Sequence, residues 1–125
     1  MLPIRPVLAV LLSTGALVAP AHAEGDAANG EKVYRRCMAC HVLDEATNRL
    51  GPHLGDVYGR PAGSVDGYTY SKGFADVDFV WDETTLDPWL ADPKAVIPGT
   101  KMVLKLAKPE DRADVIAYLK SLNGQ

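Results

Sequence analysis

Arg35-Arg36-Cys37-Met38-Ala39-Cys40-His41 contains both cysteines of the 125-residue chain, with a histidine directly after the second. C-x-x-C-H is the signature of c-type haem attachment. Two thiols at this spacing on a helical turn face the same way and can add to the two vinyl groups of one haem. His41 follows at once, so its imidazole can reach the iron of the haem so fixed. Three other readings compete. A thioredoxin-like redox pair expects a preceding strand in a βαβ unit, whereas Gly30-Glu31-Lys32-Val33-Tyr34-Arg35-Arg36 shows no strand alternation. A structural zinc site needs four ligands, and no second cluster accompanies this one. A disulfide between Cys37 and Cys40 would close a tiny loop and stabilise little. Haem attachment is the reading the segment favours.

Upstream, residues 1–23 differ from the rest. Arg5 is their only charged residue, an apolar stretch runs from Val7 to Val18, and Ala21-His22-Ala23 is a small-x-small pattern just before acidic Glu24. This is the form of a secretory signal peptide. Its apolar part falls short of the roughly 20 residues that a membrane-spanning helix needs. We expect cleavage after Ala23, export to the periplasm, and one domain over residues 24–125. An oxidising compartment requires that something occupy the two thiols. Loss of the leader removes one cation and no acid, which makes the net charge of −3 one unit more negative. With no basic run and the wrong sign, nucleic-acid binding is excluded. A domain this small is near the limit for a self-sufficient core, and a large, mostly apolar haem would supply what is missing. A monomer is the default expectation.

Ligation by His41 leaves the opposite face of the iron to be filled. Outside the leader the candidates are Met38, His53 and Met102. Met38 is tethered inside the motif on the His41 side and cannot reach across. His53 follows Gly51-Pro52 soon after His41, so it stays on the same side and reads as a surface or supporting histidine. Met102 ends Ile97-Pro98-Gly99-Thr100-Lys101-Met102, a loop marked by the Pro98-Gly99 turn signal. A lone methionine is ordinarily a filler of core gaps, but the loop setting favours Met102 as the sixth ligand. His41 and Met102 are therefore the expected metal ligands.

With these segments in hand, the chain resembles class I cytochromes c of the bacterial cytochrome c2 and mitochondrial type. The pieces occur in order: Gly30 and Tyr34, the Cys37–His41 motif, Gly51-Pro52-His53-Leu54, Gly59-Arg60, Gly67-Tyr68-Thr69-Tyr70, Trp81, Pro98-Gly99-Thr100-Lys101-Met102, and Ile116-Ala117-Tyr118-Leu119. The resemblance implies an all-α fold of about five short helices around one covalently bound haem c. Helices are expected near Ala27–Cys40, Ser71–Asp76, Leu86–Ala91, Pro93–Val96 and Pro109–Leu122. Gly30 should let the first and last helices cross closely. Pro88 lacks an N–H and suits only a first turn, so the third helix is expected to start late, at Leu86 or Asp87. The resemblance also implies that the Pro52 carbonyl accepts from the proximal imidazole, and that Arg60, Tyr70, Trp81 and Thr100 surround the haem propionates. Buried carboxylates need such donors. Two positions depart from the family pattern: Trp89 stands where many members carry a tyrosine, and Phe74 where a polar amide is usual.

With both axial positions filled, no site is open for substrate, which points to a one-electron carrier between respiratory or photosynthetic redox partners and not to an enzyme. Arg35, Arg36, Lys94, Lys101, Lys105 and Lys108 flank the motif and the methionine loop and are expected to steer acidic partners. The competing reading is a haem enzyme or gas sensor with a labile Met102, for which Lys94 or Lys101 would be replacement ligands.

Overall fold

A computed structural model describes residues 24–125 together with Pro3, Gly15 and Ala16. The leader otherwise lies outside the described residues. The chain forms α1 (Ala27–Tyr34), a 3-10 segment (Lys72–Asp76), α2 (Glu83–Ala91), α3 (Pro93–Val96) and α4 (Pro109–Ser121). Among the described residues the only β pairing is an isolated bridge between Pro61 and Val80.

Each helix starts where a local signal sets it. Asp26 caps α1 by accepting from the amides of Ala28 and Asn29, which satisfies N–H groups that have no partner inside the helix. Pro109 opens α4, with Glu110 and Asp111 in its first turn, where the helix dipole favours negative charge. Two boundaries differ from the sequence expectation. The first helix stops at Tyr34 rather than Cys40. Arg35, Arg36 and Cys37 continue as tighter turns, each amide bonding three residues back to Lys32, Val33 and Tyr34. The third helix begins at Glu83, earlier than Pro88 suggested, because Asp82 and Thr85 form a reciprocal capping box. Pro88 sits inside α2, and the carbonyl its missing N–H would have engaged belongs to exposed Thr84. The cap outweighs the proline.

α1 and α4 cross at very short range. A Cβ on Gly30 would collide with the Asp114 backbone and with Tyr118. Asp114 ties the crossing down by accepting from the Asp26 amide at 2.7 Å and from the Asn29 side chain at 2.6 Å. Tyr34 and Tyr118 pack beside it with ring centroids 5.4 Å apart. Val115, Ile116 and Leu119 of α4 are buried in one core with Val33, Leu86, Leu90, Ile97 and Leu106. Each such side chain contributes on the order of 1.5–3 kcal/mol of hydrophobic stabilisation. Cys37 lies in the same core, so the attachment motif is built into the packing and does not hang outside it.

Candidate functional site

The attachment segment is a single tight turn. The Cys37 carbonyl accepts from the amides of both Cys40 and His41, at 3.1 and 2.9 Å. That turn holds two free thiols and one imidazole on adjacent residues. Cys37 is buried, and burial pushes its thiol up to about 11. The Gly51 amide donates to the Cys40 carbonyl at 2.8 Å, which brings the next loop under the motif. There the His41 Nδ1–H donates to the Pro52 carbonyl at 2.6 Å. A carbonyl can only accept, so this bond fixes the tautomer and leaves Nε2 with its lone pair free for a metal. Burial holds the His41 pKa below its ordinary value; the bond to Pro52 opposes this in part and nearby Arg60 adds to it. A Cβ on Gly51 would strike the imidazole, so ring and loop are in direct contact.

Met102 is placed by a different device. The Thr100 amide donates to the Ile97 carbonyl at 3.2 Å, closing a turn around Pro98-Gly99. Gly99 has φ +82°, the left-handed value that this turn form requires at its third residue. The 3-10 segment packs on the turn so closely that a Cβ on Gly73 would meet Ile97 and the Pro98 carbonyl. The Thr100 hydroxyl accepts from the Met102 amide at 3.3 Å, and Thr100 is buried. Lys101 donates its amide to the Ser71 hydroxyl at 3.1 Å and its ammonium to the Thr69 carbonyl at 2.9 Å. On the far side, Leu106 is fully buried and its amide donates to the Leu90 carbonyl. Arg112 then donates to the Leu106 and Ala107 carbonyls and pairs with Asp87 at 2.8 Å. Met102 is half-buried between these anchors and packs against the core.

Arg60, Trp81 and Tyr70 belong to a third region. The Trp81 amide donates to the Arg60 carbonyl at 2.9 Å, which joins those two segments. Trp81 is buried. The Arg60 guanidinium donates to the carbonyls of Gly55 and His53, at 2.9 and 3.0 Å. Its Nε is buried with no partner among the described residues. Burial pulls its pKa down, against the influence of Tyr70, Glu45 and Asp56. The Tyr70 hydroxyl accepts from the Val65 amide at 3.0 Å. His53, the alternative ligand, stays on the Pro52 loop; its amide donates to Asn48, and its ring lies 3.5 Å from the Arg60 guanidinium.

These residues fit a c-type haem. Two free thiols share a turn with a histidine whose Nε2 is free. A buried cation has an unpaired N–H, which calls for an anion such as a propionate carboxylate. The sequence reading missed one element. Leu50, Val103 and Met38 are large apolar residues left 75, 69 and 54 % exposed. They flank the attachment loop and the methionine strap, and no pattern in the sequence marks them, because exposure is decided by the tertiary fold.

Fold and site together define a monohaem c-type electron-transfer protein. The Cytochrome c family profile matches residues 27–123. Cytochrome c2 of Rhodomicrobium vannielii is 48% identical over 109 residues, covering 86% of this chain and 87% of that protein. Cytochrome c2 of Blastochloris viridis is 40% identical over 121 residues, covering 95% and 94%. Among solved structures, cytochrome cH from Methylobacterium extorquens superposes with a TM-score of 0.72 at 45% identity, over 78% of this chain and 99% of that one. The chain belongs to the cytochrome c family, has the class I fold, and carries one haem c through Cys37 and Cys40. It works as a one-electron carrier, and the enzyme or sensor alternative is not favoured.

Proposed function

We propose that His41, through Nε2, and Met102, through Sδ, would hold the haem iron, and that the chain passes electrons between partner proteins of an exported respiratory or photosynthetic chain. The observation that carries this reading is the His41–Pro52 hydrogen bond of 2.6 Å, which presents Nε2 as a metal ligand beside two free thiols. Haem supplies iron that changes by one electron between its ferric and ferrous states. The protein supplies the rest. Pro52 fixes the imidazole ring and raises its basicity. The Thr100, Ser71 and Arg112 contacts hold Met102 in place, and a thioether ligand raises the potential relative to a second histidine. Arg60, Tyr70, Trp81 and Thr100 would supply donors to the haem propionates, with the unpartnered Arg60 Nε as the clearest of them. If both residues hold the iron, no open position would be left for a substrate, which favours a carrier over an enzyme.

Docking would use the exposed apolar residues Leu50, Val103 and Met38, next in sequence to the attachment loop and the methionine strap. Arg35, Arg36, Lys94, Lys101, Lys105 and Lys108 are all exposed. Their charges are not equal. Arg36 is paired with Asp111 at 3.7 Å, Lys105 with Asp92 at 3.2 Å, and Lys101 is held by Thr69. Arg35, Lys94 and Lys108 have no ion-pair partner among the described residues, and they are the cations left to steer an acidic partner. Residues 1–23 act as a cleaved leader to the periplasm. A match over 95% of the chain, as with the B. viridis relative, must run into that segment.

A redox titration of the purified protein followed by optical spectroscopy tests the ligand set. The expected result is one one-electron transition, with the weak red band of methionine-ligated ferric haem at neutral pH. A high-spin ferric spectrum, or rapid carbon monoxide binding once the protein is reduced, would overturn it.

A further inference from the structure

Among the described residues, Asp56 is the one residue other than glycine with a positive φ, +50°. It stands third in the turn Leu54–Val57, which the Val57 amide closes by donating to the Leu54 carbonyl at 3.2 Å. A turn with positive φ at that place alone has the type II form, where glycine or asparagine is usual. An aspartate held there is under backbone strain, which the type I form would relieve. The two forms differ in which way the central peptide faces, and the carbonyl of that peptide belongs to Gly55. As the turn stands, the Gly55 carbonyl accepts from Arg60 Nη1 at 2.9 Å. Relaxation to type I would swing this carbonyl through about half a circle and take it away from the guanidinium.

The far end of the chain bears on the same turn. The Gly124 amide donates to the Asp56 carboxylate at 2.9 Å, and the Asn123 side chain donates to the Tyr58 carbonyl at 2.7 Å. The Lys120 ammonium lies 5.5 Å from the centroid of the Tyr58 ring.

We propose that Asp56, Asn123 and Gly124 are positioning residues for Arg60: the segment after α4 latches the Leu54–Val57 turn in its strained form and so keeps the Gly55 carbonyl against the guanidinium. The carbonyls of Gly55 and His53 take Nη1 and Nη2, and Nε is the donor left without a partner. A guanidinium is planar and rigid, so tying two of its nitrogens aims the third. The proposal rests on the haem c reading only for what Nε meets. A cation held beside a propionate favours ferrous iron, the state with one positive charge fewer. Release of the turn should therefore lower the potential.

The rival explanation is that Asp56 acts on Arg60 through its charge alone. Three substitutions separate the two, since each removes that charge. Asp56→Asn keeps an acceptor for the Gly124 amide and a residue that tolerates positive φ. Asp56→Gly gives up the acceptor but favours the type II form by itself. Asp56→Ala loses charge, acceptor and tolerance together.

The test makes each variant as holoprotein and measures its potential by redox titration and the exchange of the Arg60 Nε–H with water by NMR. Asp56→Ala should lower the potential and speed the exchange about tenfold or more, the worth of one hydrogen bond from a charged donor. Asp56→Asn and Asp56→Gly should stay near wild type in both. Asn123→Ala should shift both readings in the direction of Asp56→Ala, but not in an Asp56→Gly background, where the turn needs no latch. In an Arg60→Gln background Asp56→Ala should move the potential no further. Shifts in Asp56→Asn and Asp56→Gly as large as in Asp56→Ala would show a charge effect and overturn the latch, as would an Asp56→Ala variant with unchanged exchange. The intact mass reports the porphyrin separately, so a bare polypeptide would count against the haem reading and a wrong order of the variants against the latch.

Discussion

The two sides of the site are built by opposite means. On the His41 side, residues 37–54 position the imidazole through neighbouring backbone: one turn carries Cys37, Cys40 and His41, and the next loop brings Pro52 to the ring. On the Met102 side the proposed ligand rides a strap whose anchors come from far along the chain: Ser71 and Thr69 before it, Leu90 and Asp87 in α2, and Arg112 in α4. The first arrangement depends on local geometry and covalent attachment. The second depends on the whole fold being in place. A loosened molecule should therefore lose methionine ligation while it keeps both histidine and porphyrin.

The largest break comes on the covalent side. Replacing both Cys37 and Cys40 by alanine should abolish attachment, so that the intact mass falls to that of the polypeptide. Next, Met102→Ala should leave the porphyrin mass unchanged, remove the red methionine band, lower the potential and admit carbon monoxide. Arg112→Leu sharpens the contrast, since it strips donors from the Leu106 and Ala107 carbonyls and a partner from Asp87. A cost of roughly 2–3 kcal/mol is expected for these lost bonds, and in a denaturant titration the methionine band should vanish before the helical signal. Gly51→Ala presses a methyl group against His41. Overpacking of this kind costs about 1–3 kcal/mol, yet the methionine band should persist until global unfolding, the reverse of Arg112→Leu.

The smallest effect is expected at Tyr34, whose buried hydroxyl has no partner among the described residues. Tyr34→Phe should be neutral or stabilising by up to about 1 kcal/mol. Burial, with Cys37 and Tyr118 nearby, raises the Tyr34 pKa from 10.0 to about 12. The unfolded chain gives up this proton first, so the wild type keeps full stability below its unfolded value and loses it as pH climbs from about 10 toward 12. Tyr34→Phe should flatten that alkaline loss, as measured by urea unfolding at a series of pH values.

What could be read in the sequence follows the same division. The attachment turn was legible because its chemistry is contained in five consecutive residues. The last helix was legible because Pro109, Glu110 and Asp111 announce it, whereas the close crossing of α1 and α4 at Gly30 came only from the family resemblance. The start of α2 was misjudged because Pro88 was given more weight than Asp82 and Thr85, although that capping pair is visible in the sequence. The end of α1 was placed too late because a series of tight turns preserves helical spacing without helical bonding. The anchors of the strap were out of reach: nothing local to Arg112, Asp87 or Ser71 says that they meet residues 101–107. The exposure of Leu50 and Val103 was hidden for the same reason.

The clasp between Asp26 and Asp114 joins residues 88 apart in sequence. Closing a loop of that length costs conformational entropy. A ribosome delivers the N-terminal end first, so α1 has no α4 to pack against until residues 109–121 have emerged. Through that interval Cys37 stands in the open, and the seal over it closes only when α4 arrives. The order in which the chain emerges thus gives whatever joins porphyrin to sulfur a period in which the thiol is still within reach.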